Sequence, residues 1–216
     1  MAMTQGSAAR ANPPLSASRR RRERERLAMR ARLLEAARDI AAEEGWQAVT
    51  IRKIADRLEY SSPILYQHFA SKEALLLALV AEGFREVTGL LRDAAREAEG
   101  SPERLLEGLA LAYWDFAFAA PELYQAMNGL DGVPFGTAQA PPEAREGFAV
   151  VHSTLRRLAA YRGRVLTNPE GAVDTVWAYL HGFVSLTMAG RIAGGREHGK
   201  ALMLQSLPAL FESMLA

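Results

Sequence analysis

The side chains of this 216-residue chain that can do chemistry fall into two groups. The first, catalytic or metal-ligating, is thin. Histidines stand at 68, 152, 181 and 198, with no His-x-His or His-Glu-x-x-His spacing that would close on zinc. There is no cysteine, which excludes disulfides and thiolate metal sites. No glycine-rich phosphate loop follows a strand, and no nucleophile elbow occurs. The expectation is no enzyme, no metal and no cofactor. The second group suits a polyanion. Thr50, Arg52, Ser61, Ser62, Tyr66, Gln67, His68 and Lys72 lie within one short stretch, and such side chains bond phosphates and base edges. Arg19, Arg20, Arg21 and Arg22, then Arg24 and Arg26, form a basic run ahead of them. Residues 1–30 hold eight arginines against two glutamates, so a net charge of +1 leaves the remainder at −5. A basic head on a mildly acidic body suits nucleic-acid contact at one end and a different task at the other.

Local sequence places these groups on helices. Thr50 caps a short helix with Ile51, Ile54, Ala55 and Leu58 on its apolar side. Tyr60-Ser61 turns the chain, and Ser61 or Ser62 caps a second short helix with Pro63 in its first turn. Leu65 and Phe69 point to one side of it; Ile64, Gln67 and His68 point elsewhere. Ser71 caps a third helix at Lys72-Glu73. Two short helices joined by a tight turn form the helix-turn-helix pattern, whose second helix enters the major groove. There Ile64 can meet a thymine methyl and Gln67 an adenine or a backbone oxygen. Lys72 adds a point charge, and the N–H groups at the Thr50 helix start can hold a phosphate. The arginine run is either an arm along the DNA backbone or a solvated helix start.

The rest of the chain also reads as helices. Residues 1–17 are rich in Ala, Ser, Gly and Pro, and disorder is expected there. A helix runs from Leu27 to Glu44, with Trp46 packing back on the small domain. A long helix covers Lys72 to Glu97, roughly 39 Å at 1.5 Å per residue. Further helices start at Ser101-Pro102, Pro121-Glu122 and Pro141-Pro142, the last reaching Tyr161. The final two cover Glu170 to Ala193 and about Arg196 to Leu215, where Pro208 is expected to kink or split the helix. Gly182 is expected to let a neighbouring helix approach. No strand, no fixed repeat and no apolar run of 18 or more residues is present. The expected class is all-α, with a disordered tail at 1–18, a helix-turn-helix domain at 19–71 and a larger helical domain at 72–216.

The stretch Thr50, Ile54-Ala55, Ser61, Leu65-Tyr66-Gln67-His68-Phe69 and Ser71-Lys72-Glu73-Ala74-Leu75 resembles the DNA-binding domain of the tetracycline-repressor (TetR) family, over about residues 28 to 80. Two residues depart from that pattern. Glu59 stands where the family usually has a turn glycine, and Pro63 where it often has a glycine early in the recognition helix. Trp177-Ala178-Tyr179-Leu180-His181-Gly182 resembles the Trp-x-x-x-His-Gly (WHG) signature of one C-terminal domain type. The resemblance implies base contact from Ser62, Pro63, Ile64 and Gln67, and phosphate contact from Thr50, Tyr66, His68 and Lys72.

It also implies a cytoplasmic, ligand-responsive regulator that binds a palindromic DNA operator as a homodimer, usually as a repressor, with no membrane partner. Dimer contacts are expected from the last two helices, through Val173, Val176, Leu180, Val184, Met188, Leu207, Leu210 and Met214. An unknown small apolar or amphipathic effector would be lined by Tyr113, Trp114, Phe118, Tyr124, Met127, Phe135, Phe148, His152, Trp177 and His181. The loop from Asn128 to Gln139 would cover the pocket mouth, and a ligand would shift the helix from Lys72 to Glu97. The same aromatic residues also make an ordinary helical core. The competing reading is therefore an architectural or interaction protein that binds DNA without an effector.

Overall fold

A computed structural model describes residues 17–98, 100–129 and 141–216. Among them the regular structure is helical, apart from an isolated bridge between Leu166 and Leu215. No helix there is long and apolar enough to cross a membrane.

Helix α1 spans Ala17–Glu44 and starts ten residues before its apolar face. Arg21–Glu25 at 3.4 Å and Arg26–Glu23 at 2.7 Å explain this. Pairs at these spacings support a helix without any core. Ala17 and Ser18, assigned to the tail by sequence, thus belong to α1; residues 1–16 lie outside the described residues. Helices α2 (Ile51–Arg57) and α3 (Ser62–Tyr66) follow. The Thr50 hydroxyl caps α2 by accepting from the Lys53 N–H at 3.1 Å. Ser71 caps α4 (Lys72–Glu97) through the Ala74 N–H at 3.2 Å. Ser61 occupies the cap position of α3 but makes no capping bond. Leu33, Ala37, Ile40, Val49, Ile54, Leu65 and Phe69 close the head's core.

Helix α4 leaves the head and packs on α5 (Leu105–Ala119), α6 (Pro121–Gly129) and α7 (Pro142–Tyr161). A one-turn 3-10 segment, Pro102–Arg104, precedes α5. Helix α8 spans Pro169–Met188 and α9 Gly195–Glu212.

Three expectations are corrected here. Helix α8 stops five residues before Ala193 because Gly190, at φ 66°, takes the left-handed position after the cap. Arg191 N–H then reaches the Leu186 carbonyl at 2.9 Å and Gly190 N–H that of Thr187 at 3.0 Å, which closes the helix end. Pro208 does not split α9: it is exposed, and buried Met203, Leu207 and Phe211 continue past it on the other face. No helix of the same chain approaches Gly182 closely, since a Cβ built there meets nothing within 4 Å among the described residues. The close contacts fall at other glycines. A Cβ on Gly147 would lie 2.9 Å from the Thr88 hydroxyl, and one on Gly199 2.5 Å from that of Thr187.

Candidate nucleic-acid interface and effector site

The head sorts its side chains sharply. On and around α3, Leu65 and Phe69 are buried. Ser61, Pro63, Tyr66 and Gln67 are exposed, while Ser62, Ile64 and His68 are half-buried at the margin. Ser61, whose hydroxyl makes no capping bond, is exposed as a residue. Thr50 and Arg52 are exposed at the start of α2, and Lys72 is half-buried at the start of α4. Arg52 lies 3.8 Å from Asp56, a pair so exposed that it holds the side chain weakly. His68 keeps Nδ1 buried with no hydrogen-bond partner among the described residues. Arg19, Arg20, Arg21 and Arg22 sit on α1, where residues 17–28 are all exposed, about 18 Å of helix.

The turn between α2 and α3 uses Glu59 at φ 57°, the one non-glycine residue with positive φ among those described. Tyr60 N–H bonds the Ala55 carbonyl at 2.9 Å across it. A glycine takes this conformation freely, whereas a residue with a Cβ is strained by about 1–2 kcal/mol.

Sequence reasoning missed the residues that tie the head together and to the body. Arg30 Nη1 donates to the His68 carbonyl at 2.9 Å, and its guanidinium lies 4.0 Å from the Phe69 ring centroid. Trp46 does more than pack: its indole N–H donates to the Glu122 carbonyl of α6 at 3.1 Å. Arg38 reaches the Glu122 carboxylate at 3.0 Å and Glu82 at 3.5 Å. Nothing local marks these pairs, since Arg30 and His68 stand 38 positions apart and Arg38 and Glu122 stand 84 apart.

In the body, the nominated effector residues divide. Tyr113, Trp114, Tyr124 and Met127 are buried; Phe118, His152, Trp177 and His181 are half-buried; Phe148 is exposed. Phe135 and most of the covering loop lie outside the described residues. Tyr113 meets Trp177 edge-on at 5.2 Å and Tyr124 at 6.1 Å, and Phe84 stacks on Trp177 at 6.4 Å. The Tyr124 hydroxyl lies 2.6 Å from His181 Nδ1. The neighbour of Tyr113, Trp114, points elsewhere: toward Phe118 at 4.8 Å and against Gly199 of α9. Phe148 stacks with His152 along α7.

Burial controls the ionisation of the first cluster. It pushes the Tyr113 hydroxyl well above its ordinary value, with the Tyr124 hydroxyl adding to the rise. It pushes Tyr124 to about 12, against a smaller opposing effect of Tyr113. It lowers His181. The cluster is therefore neutral near pH 7, and the buried Tyr113 hydroxyl has no hydrogen-bond partner among the described residues.

Two hollows among the described residues are not lined by these aromatic residues. One, of about 450 Å³, lies between the end of α4 and the start of α5, beside Leu90, Glu97, Arg104 and Leu111. The other, about 730 Å³, is the crevice between head and body, lined by Arg30, Leu34 and Arg38 of α1, Glu82 and Arg85 of α4 and Glu122 of α6.

The residues nominated for dimer contact also divide. Val173, Val176, Leu180, Val184, Leu207 and Met214 are buried within the chain itself, while Met188 and Leu210 are half-buried. The first six serve this chain's own core, because α8 and α9 turn their most continuous apolar faces toward the other body helices. What α8 and α9 leave outward is a different set: Ala178, Gly182, Leu186 and Leu202.

Comparison with known proteins follows the same division. Residues 33–79 match the model of the bacterial regulatory proteins of the tetR family, and residues 106–210 match a tetracyclin repressor-like C-terminal domain. The HTH-type transcriptional activator FasR of Mycolicibacterium smegmatis is 34% identical over 103 residues, 48% of this chain and 47% of FasR. The repressor KstR2 of Mycobacterium tuberculosis is 36% identical over 86 residues, 40% of this chain and 42% of KstR2. The chain thus spans about half the length of the curated relatives it matches, or less. A Rhodococcus sp. RHA1 protein of unknown function has the same fold, with a TM-score of 0.74 at 23% identity over 86% of this chain and 94% of that one. The two matched stretches fall in order on the observed head and body and cover well over half of the chain, which belongs to the tetR family of bacterial regulatory proteins.

Proposed function

We propose that the chain is a transcription regulator that binds a palindromic operator as a homodimer and releases or changes that grip when a small molecule enters its body. The observation that carries DNA binding is the two-sided α3: Leu65 and Phe69 in the core, Ser61, Pro63, Tyr66 and Gln67 outside. A helix so divided can read a groove without losing its seat. Ser62, Pro63, Ile64 and Gln67 face bases in this reading, while Thr50, Tyr66, His68 and Lys72 face phosphates, and the arginines of α1 extend the backbone contact. Selection of bound sequences from random duplex DNA tests it. A two-fold symmetric site that is altered by Gln67→Ala supports the reading, and no enriched site defeats it. Repression is the proposed direction; the named relatives include an activator, FasR, and a repressor, KstR2.

The dimer face is assigned to α8 and α9, at Gly182 and its outward neighbours. The open space around Gly182 is what a second helix needs. The body is assigned to the WHG type through Trp177, His181 and Gly182, with the domain boundary at Lys72. The effector is placed at Tyr113, Tyr124, Trp177 and His181, whose uncharged hydroxyls and imidazole suit a neutral apolar ligand with one hydrogen-bonding end. Helix α6 offers the route outward, because Glu122 holds Arg38 and Trp46 of the head while Tyr124, two residues on, holds His181. A ligand that displaces Tyr124 alters the head only if it binds the two arrangements unequally.

One observation favours the alternative of a DNA-binding dimer without an effector: Tyr113, Tyr124 and Trp177 pack on one another, and two hollows among the described residues lie elsewhere. A screen of neutral apolar compounds for thermal stabilisation, repeated as operator competition, separates the two readings. Compounds that stabilise the protein and shift operator affinity support the switch, and their absence leaves the DNA-binding dimer alone.

A further inference from the structure

We propose that Arg30 is a positioning residue: through its guanidinium, α1 sets the angle at which α3 meets DNA. Helix α3 has five residues, too short to hold its own geometry in water. Its direction is therefore set by what grips its ends. Leu65 and Phe69 anchor it inward. Its last turn is closed by His68 N–H and Phe69 N–H, both donating to the Leu65 carbonyl at 2.9 Å. The His68 carbonyl just beyond accepts from Arg30 at 2.9 Å, while the guanidinium covers the Phe69 ring at 4.0 Å. One planar cation thus bonds the chain end of α3 and stacks on its anchor. A lysine ammonium, a compact charge on a flexible stem, cannot reproduce both contacts.

Two further features agree. The guanidinium rests against the His68 carbonyl and the Phe69 ring, and the partial burial there, with nearby Arg26, lowers its proton affinity. Arg30 also lines the 730 Å³ crevice together with Arg38. The residue that orients the reader therefore shares a wall with the residue that grips the body.

The inference rests on α3 being the DNA-reading helix, and the experiment keeps the two claims apart. The full chain first selects a preferred duplex from random DNA. Wild type, Arg30→Lys, Arg30→Met and Gln67→Ala are then titrated against that duplex and against a scrambled one over a salt series, with melting followed by circular dichroism. Both Arg30 variants are expected to lose about tenfold or more on the selected duplex. Their affinity for scrambled DNA and their salt slope should stay as in wild type. A slope smaller by about one unit, rescued by Arg30→Lys, would make Arg30 a direct phosphate ligand and overturn the proposal. Equal losses on both duplexes, or no loss, also overturn it. A variant that has lost its helical signal is replaced by Arg30→Gln, which keeps a donor for the His68 carbonyl but no cation over the ring, and the same comparison decides. If Gln67→Ala leaves the ratio of affinities for the selected and scrambled duplexes unchanged, the α3 reading itself fails, whatever Arg30 does.

Discussion

Head and body differ in where their informative side chains sit. In the head, the polar residues nominated by type lie on the surface or, like Ser62, His68 and Lys72, at its margin, and Leu65 and Phe69 between them join the core. In the body, the residues nominated by type are mostly inside, and they serve packing first. The head works by presenting a fixed surface, so residue type and position agree. The body must fill the space between six helices, and the same aromatic residues suit a core, a pocket or an interface. Type alone cannot separate those uses.

The largest predicted effect tests that contrast within the body. Trp114→Ala, at a fully buried site, should cost about 3–5 kcal/mol in urea unfolding. Phe148→Ala, 37% exposed, should stay within about 0.5 kcal/mol. Similar costs for both would mean that the two rings are not divided between core and surface.

A pair of glycines comes next. Gly199→Ala places a Cβ 2.5 Å from the Thr187 hydroxyl and should cost roughly 1–3 kcal/mol. A Cβ on Gly182 meets nothing within 4 Å, so with Gly182→Leu the fold should hold or gain up to about 1 kcal/mol from helix propensity. The proposed dimer should dissociate, as sedimentation at micromolar concentration would read. An unchanged dimer would move the interface off this face of α8.

In the head, Glu59→Gly relieves the left-handed turn at φ 57° and should stabilise the protein by about 1 kcal/mol. A loss of stability would show that the Glu59 side chain contributes more than its backbone costs.

The smallest effect is a pH dependence. Burial lowers His181 from 6.5, so below about pH 6.5 the unfolded chain binds the proton that the folded chain resists. Stability should therefore fall as pH drops through this range and stay flat above it. His181→Phe should weaken that fall, and an unchanged profile would remove His181 as its source.

Much of the molecule was legible from neighbours in sequence. Helix periods, the Thr50 and Ser71 caps and the short α2–α3 unit follow from hydrogen bonds and apolar spacing within about four residues. The place of Glu59 in the turn came from the family resemblance, since spacing alone put the turn at Tyr60-Ser61. The reach of α1 back to Ala17 and the end of α8 at Gly190 were also local, written in Arg–Glu spacing and a single glycine, but they compete with stronger signals nearby.

Tertiary structure alone decided which way an apolar helix turns. Val176 and Leu186 are both apolar residues of α8, yet one is buried and the other exposed. Tyr113 and Trp114 are adjacent and face different partners. Arg30 reached His68, and Glu122 reached Arg38 and Trp46, across 38 to 84 positions. Local hydrogen bonding specifies that a helix forms. The face it buries depends on the summed contacts of every helix around it, and no neighbour along the chain carries that information.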